Sequence, residues 1–117
     1  MGLFQFPLER LEQEPFEAGA PSVDRLIHGS PRFRTWNFDT HDGESLFSGV
    51  WESTPGKWRI RYDEWEFCSI LAGVSEIEGD DGTRLRVGAG DSFVLRPGFN
   101  GTWEVIETTR KLYVVKI

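Results

Sequence analysis

The sequence predicts an all-β domain of sandwich or barrel type. Three observations carry this. Short runs of β-forming residues recur from Phe33 to the C-terminus, turn signals separate them, and helix-period patterns are almost absent. At 117 residues the chain makes one domain. Only 38% of residues are hydrophobic, but five Trp and nine Phe bring enough apolar area for a compact core.

Residues 1–32 read as an N-terminal arm, and residues 33–117 as the β-domain. Residues 1–30 hold three of the six prolines. Leu8 to Glu14 suits one or two helical turns, and Pro15, Gly19 and Pro21 break anything longer. Two readings stay open for this stretch: an arm lying on the barrel or on a second subunit, and a partly ordered tail. Phe33 to Phe38 alternates, with Phe33 and Thr35 on one face and Arg34, Trp36 and Phe38 on the other. His41-Asp42-Gly43 is a turn. Strands follow at Leu46–Ser53 and Lys57–Tyr62, joined through Thr54-Pro55-Gly56. An apolar strand, Phe67–Leu71, ends at Gly73. Val74–Ile77 and Thr83–Val87 flank Glu78-Gly79-Asp80-Asp81-Gly82, a hairpin signal. Phe93–Leu95, Thr102–Ile106 and Leu112–Val115 complete the set.

The formal charge of −6 and pI near 4.9 argue against nucleic acid and anionic membranes as partners. Two basic rows, Arg32 with Arg34 and Lys57 with Arg59 and Arg61, suit a small anion, and the second row also suits a solvated face or salt bridges to Glu52 and Glu104. A single Cys excludes an intrachain disulfide framework, and no apolar run reaches membrane-span length. The first residues lack a basic start followed by an apolar region, so a cytoplasmic protein is the expectation.

The stretch from Glu66 to Gly98 is the most specific. Glu66 and Gly73 resemble the end of the first cupin motif. Gly90 and Gly98 resemble the second, with Arg96-Pro97-Gly98 in place of Pro-x-Gly. Five segments extend the likeness: Gly49–Glu52, Thr54–Trp58, Glu66–Leu71, Gly101–Val105 and Arg110–Tyr113. Together they resemble the small single-domain cupins grouped with the (S)-ureidoglycine aminohydrolase cupin domain. The resemblance covers residues 33–117 and implies an RmlC-like jelly-roll barrel with a central pocket. The hydrolase of that name is a two-cupin, manganese-dependent enzyme, whereas this chain has one cupin. Counted from Glu66, the two histidine places of the first motif fall on Ile60 and Tyr62, or on Arg59 and Arg61. Counted from Gly98, the third falls on Gly101. A first-row metal needs several converging donors. The expectation is therefore no tightly held metal or other cofactor, with a weakly held divalent ion left open.

On the cupin pattern Glu66 points inward. Its carboxylate suits a ligand amine or amide, general-base chemistry, or a buried pairing with Lys111. Trp58, Ile60 and Tyr62 share one face, giving either an aromatic ligand pocket or simple core filling. Cys68 has the parity of Glu66 and reads as a buried, inert thiol, for His28 and His41 fall in predicted loops. Trp103 and Trp51 form a pocket mouth or a packing layer. Asp80, Asp81 and Asp91 read as turn residues.

The candidate ligand-binding set is Trp58, Ile60, Tyr62, Glu66, Cys68, Trp103 and Lys111. The leading reading is binding of a small polar metabolite in a homodimeric cupin. One alternative is an enzyme acting on a ureido or amino-acid-like metabolite, with Glu66 and Tyr62 as catalytic acid/base groups. Another is a structural or regulatory dimer module.

Overall fold

The computed structural model describes residues 2–117. A 3₁₀ segment, Leu8–Gln13, opens it. Nine strands follow: β1 Glu17–Gly19, β2 Leu26–Gly29, β3 Phe33–His41, β4 Leu46–Ser53, β5 Gly56–Arg61, β6 Trp65–Gly79, β7 Arg84–Gly88, β8 Ser92–Leu95 and β9 Asn100–Lys116. All pairings are antiparallel. No helix among the described residues is long and apolar enough to cross a membrane.

Two long strands organise the barrel. β6 and β9 pair along most of their length, from Trp65↔Lys116 to Gly79↔Gly101. Bulges between Ile70 and Ser75 interrupt the register and bend the pair. The early half of β6 and the late half of β9 lie between β8 and β4, which continues to β3 and β1. The late half of β6 and the early half of β9 lie between β7 and β5, which continues to β2. One bent ribbon thus belongs to two facing layers, the architecture of a jelly roll.

The bend corrects the reading of Gly73 as a strand end. β6 runs through it, and Gly73 takes φ +90 at the bulge. A side chain there would meet the backbone of Thr108 and Thr109. For the same reason the two strands expected at Thr102–Ile106 and Leu112–Val115 are one, β9. Both histidines also sit in strands rather than loops: His28 in β2 and His41 at the end of β3.

Alternation decides what each layer buries. Phe33, Thr35 and Asn37 face inward, whereas Trp36 faces outward into a second small core with Leu11 and Val50. The 3₁₀ segment covers that outer face. The Trp36 indole Nε1 donates to the carbonyls of Leu11 at 3.0 Å and Glu14 at 3.2 Å. Arg34 bridges Glu12 and Glu52, each at 2.8 Å, and stacks over Trp36. Glu52 therefore serves the arm-covered face, with Arg110 as its second partner at 2.7 Å. That corrects the pairing expected between Glu52 and the Arg59 row; Arg59 pairs with Asp80 instead. The turn at Asp80-Asp81-Gly82 is exposed as expected, and Asp91 accepts the Gly88 N–H at 2.8 Å.

Candidate functional site

The two layers do not close completely on each other. Between them lies a cavity of about 550 Å³. Its aromatic walls come from β3 (Phe33), β4 (Phe47, Trp51), β5 (Trp58) and β9 (Trp103, Tyr113). Ring centroids 5.1 to 6.2 Å apart link Phe33, Trp51, Trp58 and Trp103 into one continuous surface. Such tilted and edge-on contacts suit the ring quadrupoles.

The floor is polar. Glu66 stands on β6 and Lys111 on β9, brought together by the β6·β9 ladder. Lys111 Nζ lies 2.8 Å from Glu66 Oε2, with the two side chains 6% and 7% exposed. The Tyr62 hydroxyl donates to Glu66 Oε1 at 2.6 Å. The Cys68 thiol donates to Glu66 Oε2 at 3.4 Å, and Lys111 Nζ approaches Cys68 Sγ at 3.7 Å. Lys111 Nζ also sits over the Trp51 and Trp103 rings, 4.7 and 4.6 Å from their centroids. A short relay fixes Trp103: its Nε1 donates to Ser75 Oγ at 3.1 Å, Ser75 meets Thr109 Oγ1 at 2.7 Å, and Thr109 donates to the Glu107 carbonyl.

Burial sets the proton affinities. Desolvation pushes the Glu66 carboxyl up, but Lys111 and the hydrogen bonds outweigh it and leave Glu66 below its usual range. Desolvation pushes Lys111 down, and Glu66 outweighs it, so the ammonium holds its proton above the usual lysine range. Burial and the Glu66 charge push the Tyr62 phenol well up. Burial raises the Cys68 thiol to about 12, against the pull of Lys111, which leaves it protonated and inert near neutrality.

These directions fix a pH response. The contribution of Glu66 is present above the ordinary Glu value of about 4.3 and is lost as pH falls through its lower folded value. That of Lys111 is present below about 10.4 and is lost as pH rises through its higher folded value. Cys68, its thiol pushed up to about 12, adds its own loss of stability above the ordinary thiol value of about 8.5, so urea denaturation should give a plateau between about 4.3 and 8.5 and a fall on both sides. A Lys111→Met variant should lose the alkaline fall that Lys111 contributes. An unchanged profile in that variant would show that the pair does not govern it.

Of the residues expected at the site, Trp58, Ile60, Tyr62, Glu66, Trp103 and Lys111 line the cavity. Cys68 lies wholly buried behind Glu66 and is not in the lining. Sequence reasoning had placed Trp51 at a pocket mouth or in a packing layer; the structure makes it a wall. Tyr113 and Val115 share the face of Lys111 by the two-residue period and line the cavity with it. Phe47 and Asn37 were missed, although the alternation of β3 extends to Asn37. Glu17 was missed too, and no periodic signal marks it. The histidines stand apart: His28 lies 3.3 Å from Glu104, and His41 is exposed.

Of the histidine places of the motif, only Tyr62 carries a possible donor in the lining, and its hydroxyl is engaged with Glu66. Ile60 offers none, Gly101 has no side chain, and Arg59 and Arg61 point away from the cavity lining. The carboxylate of Glu66 already faces an ammonium group. No cluster of three His, Cys, Asp or Glu side chains suited to a metal occurs among the described residues. This donor set does not fit a first-row metal ion.

A family model described as the EutQ-like cupin domain matches residues 41–113, more than half of the chain. The chain belongs to that cupin family. No curated protein sequence matches it. Among solved structures, this cupin resembles a DUF861-family protein of unknown function from Pseudomonas syringae pv. tomato str. DC3000. The TM-score is 0.80 at 24% identity, over 89% of this chain and 45% of that one. The cupin described here thus spans less than half of the Pseudomonas protein. It also resembles the EutQ protein of Clostridium difficile, with TM-score 0.65 and 22% identity over 84% and 73% of the two chains. Ectoine synthase from P. lautus gives TM-score 0.66 and 16% identity over 81% and 70%. At these identities the likeness carries the fold alone.

Proposed function

We propose that this cupin binds a small polar metabolite with a flat apolar part, and does so without a tightly held metal. The observation that carries the reading is the open, aromatic-walled cavity above the Glu66–Lys111 pair. Rings that merely filled a barrel would leave no such volume, which argues against a purely structural module. Trp51, Trp58 and Trp103 offer flat faces to a planar group, and the polar floor orients it.

The enzymatic alternative assigns Glu66 and Tyr62 as base and acid on a ureido or amino-acid-like metabolite, as the resemblance to the aminohydrolase cupins suggests. Their 2.6 Å contact favours a joint role. The pairing of Glu66 with Lys111 weighs against it. A carboxylate held below its usual range is a poor proton acceptor, and a phenol held above its range is a poor donor. Binding is the better-supported reading.

Two measurements on the purified protein test it. Elemental analysis should find below about 0.1 Mn, Fe, Ni or Zn per chain, and chelator should leave the melting temperature unchanged. Native mass spectrometry, followed by titration of any released small molecule, should give saturable quenching of tryptophan fluorescence that Trp51→Ala weakens. About one tightly held metal per chain would refute the metal-free reading. Failure of every released or screened metabolite to perturb the tryptophans would refute binding.

A further inference from the structure

We propose that Glu17 makes the cavity selective for a small organic monocation, a protonated amine or amidinium carried on a flat apolar body. This inference rests on the reading of the barrel as a binding site and names the class of its ligand.

The first support is where Glu17 stands. β1 pairs with β3 in the register Glu17↔Thr35. Thr35 pairs with Trp51 on β4, and Trp51 pairs with Lys111 on β9. Directly paired residues in antiparallel strands share a face. Glu17, Thr35, Trp51 and Lys111 therefore form one row across the inner face, and all four line the cavity. Three strand spacings separate the ends of the row, on the order of 14 Å between Cα positions. Lys111 is buried at one end and Glu17 is exposed at the other, on the rim.

The second support is charge. Glu17, Glu66 and Lys111 are the Asp, Glu, Lys and Arg side chains of the lining. Glu66 and Lys111 neutralise each other at 2.8 Å. Glu17 has no ion-pair partner among the described residues, so the lining carries one uncompensated negative charge. The walls between the ends are ring faces, whose quadrupoles also attract cations. Lys111 already occupies the space over Trp51 and Trp103. Its like charge keeps a ligand cation off the floor and directs it to the rim. The chain's net charge of −6 acts in the same sense at long range.

The third support is rigidity. The chain just before Glu17 is fixed by the Trp36 bonds to the Leu11 and Glu14 carbonyls and by the Glu12–Arg34 bridge. β1 then adds its ladder to β3. Glu17 is thus presented by an anchored strand, which gives this part of the N-terminal stretch a role in the site.

Benzylammonium, benzyl alcohol and benzoate make a matched probe series. Each is titrated into the full chain at low ionic strength, with tryptophan fluorescence and calorimetry as readouts. Benzylammonium should bind most tightly and benzoate least. Glu17→Gln should weaken benzylammonium about two- to fivefold, the range of a solvent-exposed ion pair, and leave benzyl alcohol unchanged. Glu17→Asp should keep the preference for the cation, and both variants should melt as the parent does. Equal affinity for the three probes, or indifference of benzylammonium to Glu17→Gln, would overturn the cationic preference while leaving the binding reading intact. No binding of any probe, benzyl alcohol included, would overturn both.

Discussion

Lys111→Met should destabilise the protein by about 3–5 kcal/mol, the cost of leaving a buried charge without its partner. The side chains of Lys111 and Glu66 are 6% and 7% exposed and their charged atoms lie 2.8 Å apart. Each charge offsets the desolvation of the other. Removing the ammonium also removes its contacts with the Trp51 and Trp103 rings. Glu66→Gln should have a comparable effect, since the amide keeps the shape but cannot balance the cation. The double variant should cost much less than the sum of the two, because it removes both charges and leaves groups of similar volume. Urea titrations of the four proteins measure this as a coupling energy, the shortfall of the double variant's cost below the sum of the two, expected at about 3 kcal/mol or more. Additivity within about 0.5 kcal/mol would mean that the two charges do not support each other.

That pairing was legible in the sequence because strand geometry has a period of two. Glu66 and Cys68, Trp58 and Ile60, and Lys111, Tyr113 and Val115 each share parity. The motif spacing set the inward face for Glu66, and for Cys68 with it, while the direction of the other two faces came only with the structure. What the sequence could not convey was how far a strand continues through a bulge. Gly73 reads as a stop, yet the chain turns through φ +90 there and resumes pairing on the same partner. Glu17 was invisible for a related reason. A three-residue strand leaves no periodic trace, and its inward direction exists only through pairing with Thr35, eighteen positions away. The open volume was equally hidden. Whether three tryptophans fill a barrel or line it depends on the curvature of the two layers, and residue types alone do not set that.

Gly101→Ala should cost about 2–3 kcal/mol, and Gly101→His should cost more and still bind no metal. In the cupin motif this position is the place of the third histidine. In this chain Gly101 lies between Ile60 on β5 and Gly79 on β6. A Cβ added there would fall well inside contact distance of the Glu78 carbonyl oxygen and 3.0 Å from Gly79 Cα. Both are backbone atoms of the strand paired with β9, so relief requires the ladder itself to move. The obstacle is steric and not conformational, since Gly101 is absent from the glycines with positive φ. Gly88→Ala is the control. Its Cβ would meet only the Gly73 carbonyl oxygen, at an ordinary 3.6 Å. That substitution should be neutral or stabilise by up to about 1 kcal/mol through the unfolded chain. Denaturation of the three variants, with elemental analysis of Gly101→His after incubation with Mn or Zn, decides the matter. If Gly101→Ala is as stable as the parent, or Gly101→His holds a stoichiometric metal, the ladder is not the barrier. If both expectations hold, metal binding in this cupin is blocked by backbone packing at Gly101 as well as by the ammonium of Lys111 beside Glu66.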